Sequence, residues 1–285
     1  MNALFGPAGN GDLFYKEGLK ATAEMPAWLK AKGLDAYEYQ CGNGVRIGAE
    51  TAEKIRQAAN ENNIVMSLHS PYYINLATPE EEKKIKSIDY IMQSANAAKM
   101  LGADRIVVHS GALGKQTREA ALENAKITLS RAQEALDKNN FSEIQLCIET
   151  MGKINQLGDL DEVMELCLID DRFLPAIDFG HLNSRWHGAI KNTDDYAKIL
   201  DTIENRLGHE RAGIFHVHFS KIEYTEGGEK KHLTFEDTVY GPEFEPLAEL
   251  LAKRNLAPHI ICESAGTQAE DALTMKKMYI QKQKG

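Results

Sequence analysis

Residues 105–109 read Arg105-Ile106-Val107-Val108-His109, a short β-branched run that stops at a histidine. Residues 145–149 read Gln145-Leu146-Cys147-Ile148-Glu149, the same form stopping at a glutamate 40 residues later. Between them the stretch 118–137 carries Ala121, Ala125, Leu129 and Leu136 at helical spacing. The unit is therefore one apolar strand, one polar residue at its C-terminal end, and one amphipathic helix.

The unit recurs in both directions. Candidate strands lie at 2–5, 35–39, 64–68, 105–108, 145–148, 174–177, 214–217 and His259–Cys262. Candidate helices lie at 80–101, 118–137, 160–168, 194–207, 244–254 and 268–279. The first of these places Ile85, Ile88, Met92, Ala95 and Ala98 on one face and stops at Gly102. Eight near-continuous apolar strands alternating with helices predict a parallel sheet, because such strands are covered on both faces. At 285 residues the expected fold is a closed (β/α)8 TIM barrel over residues 1–285, with an open doubly wound sheet as the alternative.

Active sites of such barrels sit at the C-terminal ends of the strands. There the sequence places His69, His109, Glu149, Asp178, His216 and Glu263, spaced by 40, 40, 29, 38 and 47 residues. Those intervals follow the strand period, so six consecutive strands would aim their last polar side chain at one rim. Three imidazoles with three carboxylates are ligand chemistry for Zn²⁺, Mn²⁺ or Fe²⁺ and exceed the needs of one tetrahedral ion. The glycine-rich stretches 6–11 and 42–48 lack the endings of a P-loop or a dinucleotide fingerprint and read as turns. No H-E-x-x-H or G-x-S-x-G occurs.

Composition narrows the class. The net charge of −9 counts against a protein that coats nucleic acid through a basic face. Two bound Zn²⁺ would bring it to −5 and three to −3. Mean hydropathy is −0.40, no apolar run reaches the length of a membrane span, and the start lacks a secretory signal. Cys41, Cys147, Cys167 and Cys262 form no C-x-x-C pair and read as reduced core residues. The expectation is a cytoplasmic monomer with no membrane partner.

The polar motifs resemble those of the endonuclease IV family of apurinic/apyrimidinic endonucleases, within the xylose isomerase-like barrels. The matching segments are His69-Ser70-Pro71-Tyr72-Tyr73-Ile74-Asn75-Leu76-Ala77, Val107-Val108-His109-Ser110-Gly111, Ile148-Glu149-Thr150, Asp178-Phe179-Gly180-His181, His216-Val217-His218-Phe219-Ser220-Lys221 and Cys262-Glu263-Ser264. The resemblance implies zinc-dependent hydrolysis of DNA 5′ to abasic sites. It implies that His69, His109 and Glu149 hold one Zn²⁺, and that Glu149 bridges to a second held by Asp178, His216 and Glu263. A third would lie at His181 and His232. Manganese is an alternative metal. The family's third site also uses an aspartate two residues before its last histidine; here that position is Lys230, and the nearest acid is Glu229. Tyr72 and Asn75 are the implied substrate contacts, with Lys221, Arg46 and Arg185 as phosphate candidates. A sugar isomerase or epimerase of the same superfamily is the alternative. There Glu149 and Glu263 would be acid and base beside a single metal, and His69 and His109 would have no metal role.

Overall fold

The computed structural model describes residues 2–284. Ten strands occur among them: β1 (Leu4–Pro7), β2 (Ala36–Gln40), β3 (Val65–His69), β4 (Arg105–His109), β5 (Gln145–Glu149), β6 (Leu174–Asp178), β7 (His216–Phe219), β8 (Ile222–Thr225), β9 (Gly228–His232) and β10 (His259–Cys262). Eight of them pair in parallel in the order β1-β10-β7-β6-β5-β4-β3-β2, and β8 and β9 form a separate antiparallel hairpin. The sheet curls until its ends meet. Ala8 bridges Glu38 in parallel, Gly9 N–H donates to the Glu38 carbonyl at 2.9 Å, and Asp35 N–H donates to the Phe5 carbonyl at 2.9 Å. The strands approach so closely at Gly6 that a Cβ there would lie 1.8 Å from the Ala36 carbonyl oxygen. The expected closed barrel is the fold.

Side chains alternate between the two faces of each strand. The outward set, including Ile106, Val108, Leu146, Ile148, Ile177, Val217 and Ile260, is buried under the helices and forms the main core. The inward set includes a small apolar layer low in the barrel, where Val107, Cys147, Leu174 and Ala176 pack together, and a second cluster of Ala8, Ala36 and Ile261. Above that layer the interior becomes polar, with Glu38, Ser67, His69, Glu149, Asp178, His216 and His218 all buried. Buried charge of this density is expensive unless compensated, so the fold spends stability on a site. All four cysteines are buried and free.

Two local expectations shift. The seventh strand begins at His216 and ends at Phe219, two residues later than its apolar pattern suggests. The helix Glu81–Leu101 ends at Gly102 in the left-handed conformation (φ +73°), but its buried stripe runs through Ser87, Ile91, Ser94, Ala95, Ala98 and Leu101. Ile85 is 46% exposed. Small alanines and serines let the helix pack closely, so size rather than hydropathy sets its rotation. No helix among the described residues is long and apolar enough to cross a membrane.

Candidate metal centre

The ladder register aligns the first elements of the site. His109 pairs Glu149 across β4–β5, and Asp178 pairs His218 across β6–β7. Paired residues on one face bring their Cβ atoms within about 5 Å. Glu149 then divides its two oxygens. Oε2 lies 3.3 Å from His69 Nε2 and 3.1 Å from His109 Nε2, while Oε1 lies 2.9 Å from His218 Nδ1. Two groups result, with Glu149 in each: His69, His109 and Glu149; and Glu149, Asp178, His218 and Glu263.

His216 falls outside both groups and lies instead with Glu38 and His218, so the place expected for it beside Asp178 and Glu263 is taken by His218. His216 pairs Ala176, one layer below Asp178, and its Nε2 lies 3.0 Å from Glu38 Oε2. The cause is the later start of β7. Both histidines point inward, but His218 sits at the level of the ring and His216 beneath it. The repeat His216-Val217-His218 offers both, and an apolar pattern that ends at residue 217 favours the first.

A third group gathers His181, Glu229 and His232. Asp178 Oδ1 caps the helix Phe179–Arg185 by accepting from His181 N–H at 2.7 Å, which fixes His181 at the rim. The hairpin supplies the other two. It is pinned to the segment after β5, where Gly228 bridges Lys153 and Glu229 N–H donates to the Gly152 carbonyl at 3.1 Å. The register shifts between Glu223, which pairs Lys231, and Tyr224, which pairs Glu229. Lys230 is the extra residue of this β-bulge. Residues three apart on a regular strand face opposite sides; the bulge lets Glu229 and His232 share one. Lys230 itself turns to Glu223, with Nζ 2.5 Å from Oε1.

The electrostatics are those of a cluster that wants cations. Burial alone would push the Glu149 carboxyl up, but His218, His109 and His69 hold it well below the usual range. Burial pushes Asp178 up to about 6. Against burial, Glu149 raises His69 to about 9 and Asp178 raises His181 to about 9. Asp178 Oδ2 is buried with no hydrogen-bond partner. An orphaned carboxylate oxygen beside Glu149, His218 and Glu263 fits a divalent cation, and the mixed imidazole–carboxylate donor set suits zinc or manganese.

The centre opens into a cavity of about 410 Å³ lined by Gln40, Tyr72, Lys153 and Gln156 together with the residues of the three groups other than Asp178 and His218. Tyr72 stands half-exposed at its lip, bonded to Asn43 and 4.5 Å from the Tyr73 ring. Asn75 braces the neighbouring loop instead, its Oδ1 accepting from Ala112 N–H at 3.1 Å. Lys221 is buried and tied to the Asp237 carbonyl and to Glu243, each at 2.7 Å, and does not line the cavity. Arg185 is likewise committed to the carbonyls of Met151, Lys153 and Gln156. Arg46 is exposed and also does not line the cavity. Sequence reasoning passed over Glu38, whose signal was a lone carboxylate inside a strand rather than at its end. It also passed over Ser70, whose buried Oγ lines the cavity with no partner.

Residues 26–279 match the family described as xylose isomerase-like TIM barrel. An uncharacterized protein of Methanocaldococcus jannaschii is 33% identical over 248 residues, covering 87% of this chain and 88% of that protein. A probable endonuclease 4 of Mycoplasma pneumoniae is 28% identical over 181 residues, covering 62% of this chain and 60% of that protein. Among solved structures, a D-tagatose 3-epimerase-like protein superposes with a TM-score of 0.73 at 19% identity, covering 99% of this chain and 98% of that one. At that identity the likeness is one of fold.

Proposed function

The chain belongs to the xylose isomerase-like TIM barrel family, and from that premise we propose that it is a zinc-dependent phosphodiester hydrolase of the endonuclease IV type, cutting DNA 5′ to abasic sites. One observation carries the reading: His69 and His109 converge on the same oxygen of Glu149, at 3.3 and 3.1 Å. A single-metal sugar enzyme has no use for that convergence. The sequence relatives named probable endonuclease 4 support the same reading.

His69, His109 and Glu149 would hold one ion, Glu149, Asp178, His218 and Glu263 a second, and His181, Glu229 and His232 a third. Bound divalent ions would supply Lewis acidity toward a phosphoryl oxygen and lower the pKa of bound water towards about 7. The chain's own residues then position the substrate. Glu149 fixes the spacing of the two principal sites because one carboxylate serves both. Ser70 offers an unpartnered hydroxyl to an oxygen of the substrate. Tyr72 offers a ring face at the cavity mouth, where a base flanking the lesion can stack. An abasic sugar leaves the helix at little stacking cost, which is a physical source of lesion selectivity at a buried centre.

The test is direct. Zinc-loaded protein should cut a duplex carrying one abasic site on its 5′ side, leaving a 3′-hydroxyl, and His69→Ala or His109→Ala should abolish cutting. The second reading, a ketose isomerase or epimerase, is favoured by the completeness of the group Glu149, Asp178, His218 and Glu263. It stands instead if loaded protein cuts no better than the metal-free control yet interconverts a ketose, and does so without His69 and His109.

A further inference from the structure

Each histidine of the centre can give a cation only one nitrogen, and what holds the other nitrogen decides which. His69 Nδ1 faces the Ser70 carbonyl at 2.8 Å, His181 Nδ1 faces the Thr150 carbonyl at 2.9 Å, and His232 Nδ1 faces the Ser220 hydroxyl at 2.8 Å. In all three a neutral oxygen occupies Nδ1 and leaves Nε2 toward the ligand group. His218 is arranged the other way round. Its Nδ1 faces Glu149 at 2.9 Å and Glu263 at 3.7 Å, and its Nε2 faces Glu38 Oε1 at 2.9 Å. Of these four it alone has a carboxylate as the nearest partner of its second nitrogen; at His181 the Thr150 carbonyl is nearer to Nδ1 than Asp178 Oδ2 at 3.4 Å or Glu149 Oε1 at 3.6 Å.

Glu38 is built to stay there. It is fully buried. Its ladder partner Ser67 donates Oγ–H to Oε2 at 2.9 Å, and Gln40 donates Nε2–H to Oε1 at 3.0 Å. His216 Nε2 lies 3.0 Å from Oε2. The carboxylate does not line the cavity and cannot reach substrate.

We infer that Glu38 is a positioning residue: it holds the proton of His218 on Nε2 and so makes Nδ1 the donor to the cation shared with Glu149, Asp178 and Glu263. A ligating imidazole must be neutral, with one nitrogen protonated and the other bare. An ionised carboxylate accepts hydrogen bonds and donates none, so it admits only the tautomer with Nε2–H. Its negative charge also makes the ring a stronger donor than a backbone carbonyl would. Glu38, His216 and His218 are not themselves a further cation site on this arrangement, since His218 would then have to ligate through both nitrogens.

The inference rests on the metal reading above, and the experiment separates the two. Zn²⁺ is titrated into the wild type, Glu38→Gln and Glu38→Ala against a competing chelator, with far-ultraviolet circular dichroism on each. Histidine ¹⁵N spectra of the loaded proteins report the tautomer. The amide of Gln keeps a carbonyl acceptor without the charge, so the expected order is Glu, Gln, Ala. One ion should weaken about 10-fold in Glu38→Gln and about 100-fold in Glu38→Ala, while the others keep their affinity. The His218 Nε2–H signal should be protected in the wild type and lost in Glu38→Ala. Equal affinities and an unchanged tautomer in folded variants would overturn the inference and leave the metal reading standing. So would loss of a whole equivalent in Glu38→Gln with every other affinity intact, which would make Glu38 a ligand. A wild type that takes up no divalent cation overturns both.

Discussion

Glu149 meets His218 through Oε1 alone, 2.9 Å from Nδ1, and this leaves Oε2 to His69 and His109. One side chain thus links strands β3, β4, β5 and β7. Replacing it with Gln removes the charge and turns one oxygen into a donor. Elemental analysis of zinc-loaded Glu149→Gln should show two ions fewer per chain, with the ion at His181, Glu229 and His232 retained. Loss of only one would mean that the two principal groups are independent.

The layering within β7 makes a paired expectation. His218→Asn should cost one zinc per chain. His216→Asn should keep the full count, because His216 faces Glu38 and Ala176 rather than the ring. It should still lower stability by about 1–3 kcal/mol, since it disturbs a buried polar pair. Metal counts that fall equally in both variants would contradict the layer assignment.

The bulge in β9 gives a third. Glu229→Gln should remove the ion beside His181 and His232. Lys230→Asp should add nothing, because that side chain turns to Glu223. Deleting Lys230 should preserve the ion. It removes the bulge and the extra residue together, and a regular strand then puts the remaining Glu and His two apart on one face. A deletion variant that keeps its fold but binds one zinc fewer would show that the bulge does more than restore parity.

Away from the centre, Glu162 accepts from both Arg118 Nε and Nη2 at 2.6 Å and caps the helix Leu160–Cys167 through Gly158 and Asp159. Burial works against its ionisation, but the Arg118 guanidinium and the two backbone donors lower its pKa below the usual 4.5. A lowered folded-state pKa gives stability that is present above 4.5 and lost as pH falls through the folded value. Glu162→Gln should therefore cost about 1–2 kcal/mol at pH 7, reduced from a buried charged hydrogen bond because Arg118 is partly in solvent. Denaturant melts of the two proteins should converge as the pH drops below 4.5. A gap that stays constant to acid pH would remove Arg118 as its cause.

The barrel and most of its rim were readable because strand and helix periods differ and the polar residues recur at the strand period. His69, His109, Glu149, Asp178 and Glu263 each close an apolar run, so the end of the run marks the level of the ring. That rule fails at β7, where Ile214 and Phe215 extend the apolar pattern before the strand begins and the two inward histidines differ only by layer. It also fails for Glu38, because a residue in mid-strand carries no end signal. Lys221 and Arg185 looked like phosphate contacts by charge alone. Their partners, Glu243 and the carbonyls after β5, come from distant loops that no local pattern announces. The Lys230 bulge is a property of pairing, and pairing is not written in one strand.

The seam between β1 and β2 is fastened by few backbone bonds, and one of them ends on the carbonyl of Glu38, whose side chain reaches the opposite wall of the barrel. Opening the seam would pull that side chain away from His218. Cation loading and barrel closure are therefore thermodynamically linked: whatever binds only the closed form stabilises it by mass action. The amides of Gly9 and Asp35, which donate across the seam, should exchange with deuterated solvent more slowly in the loaded protein than in the stripped one, although neither residue touches a ligand group. In that sense the centre works as a clasp, with the metal on the inside and the join of the barrel on the outside.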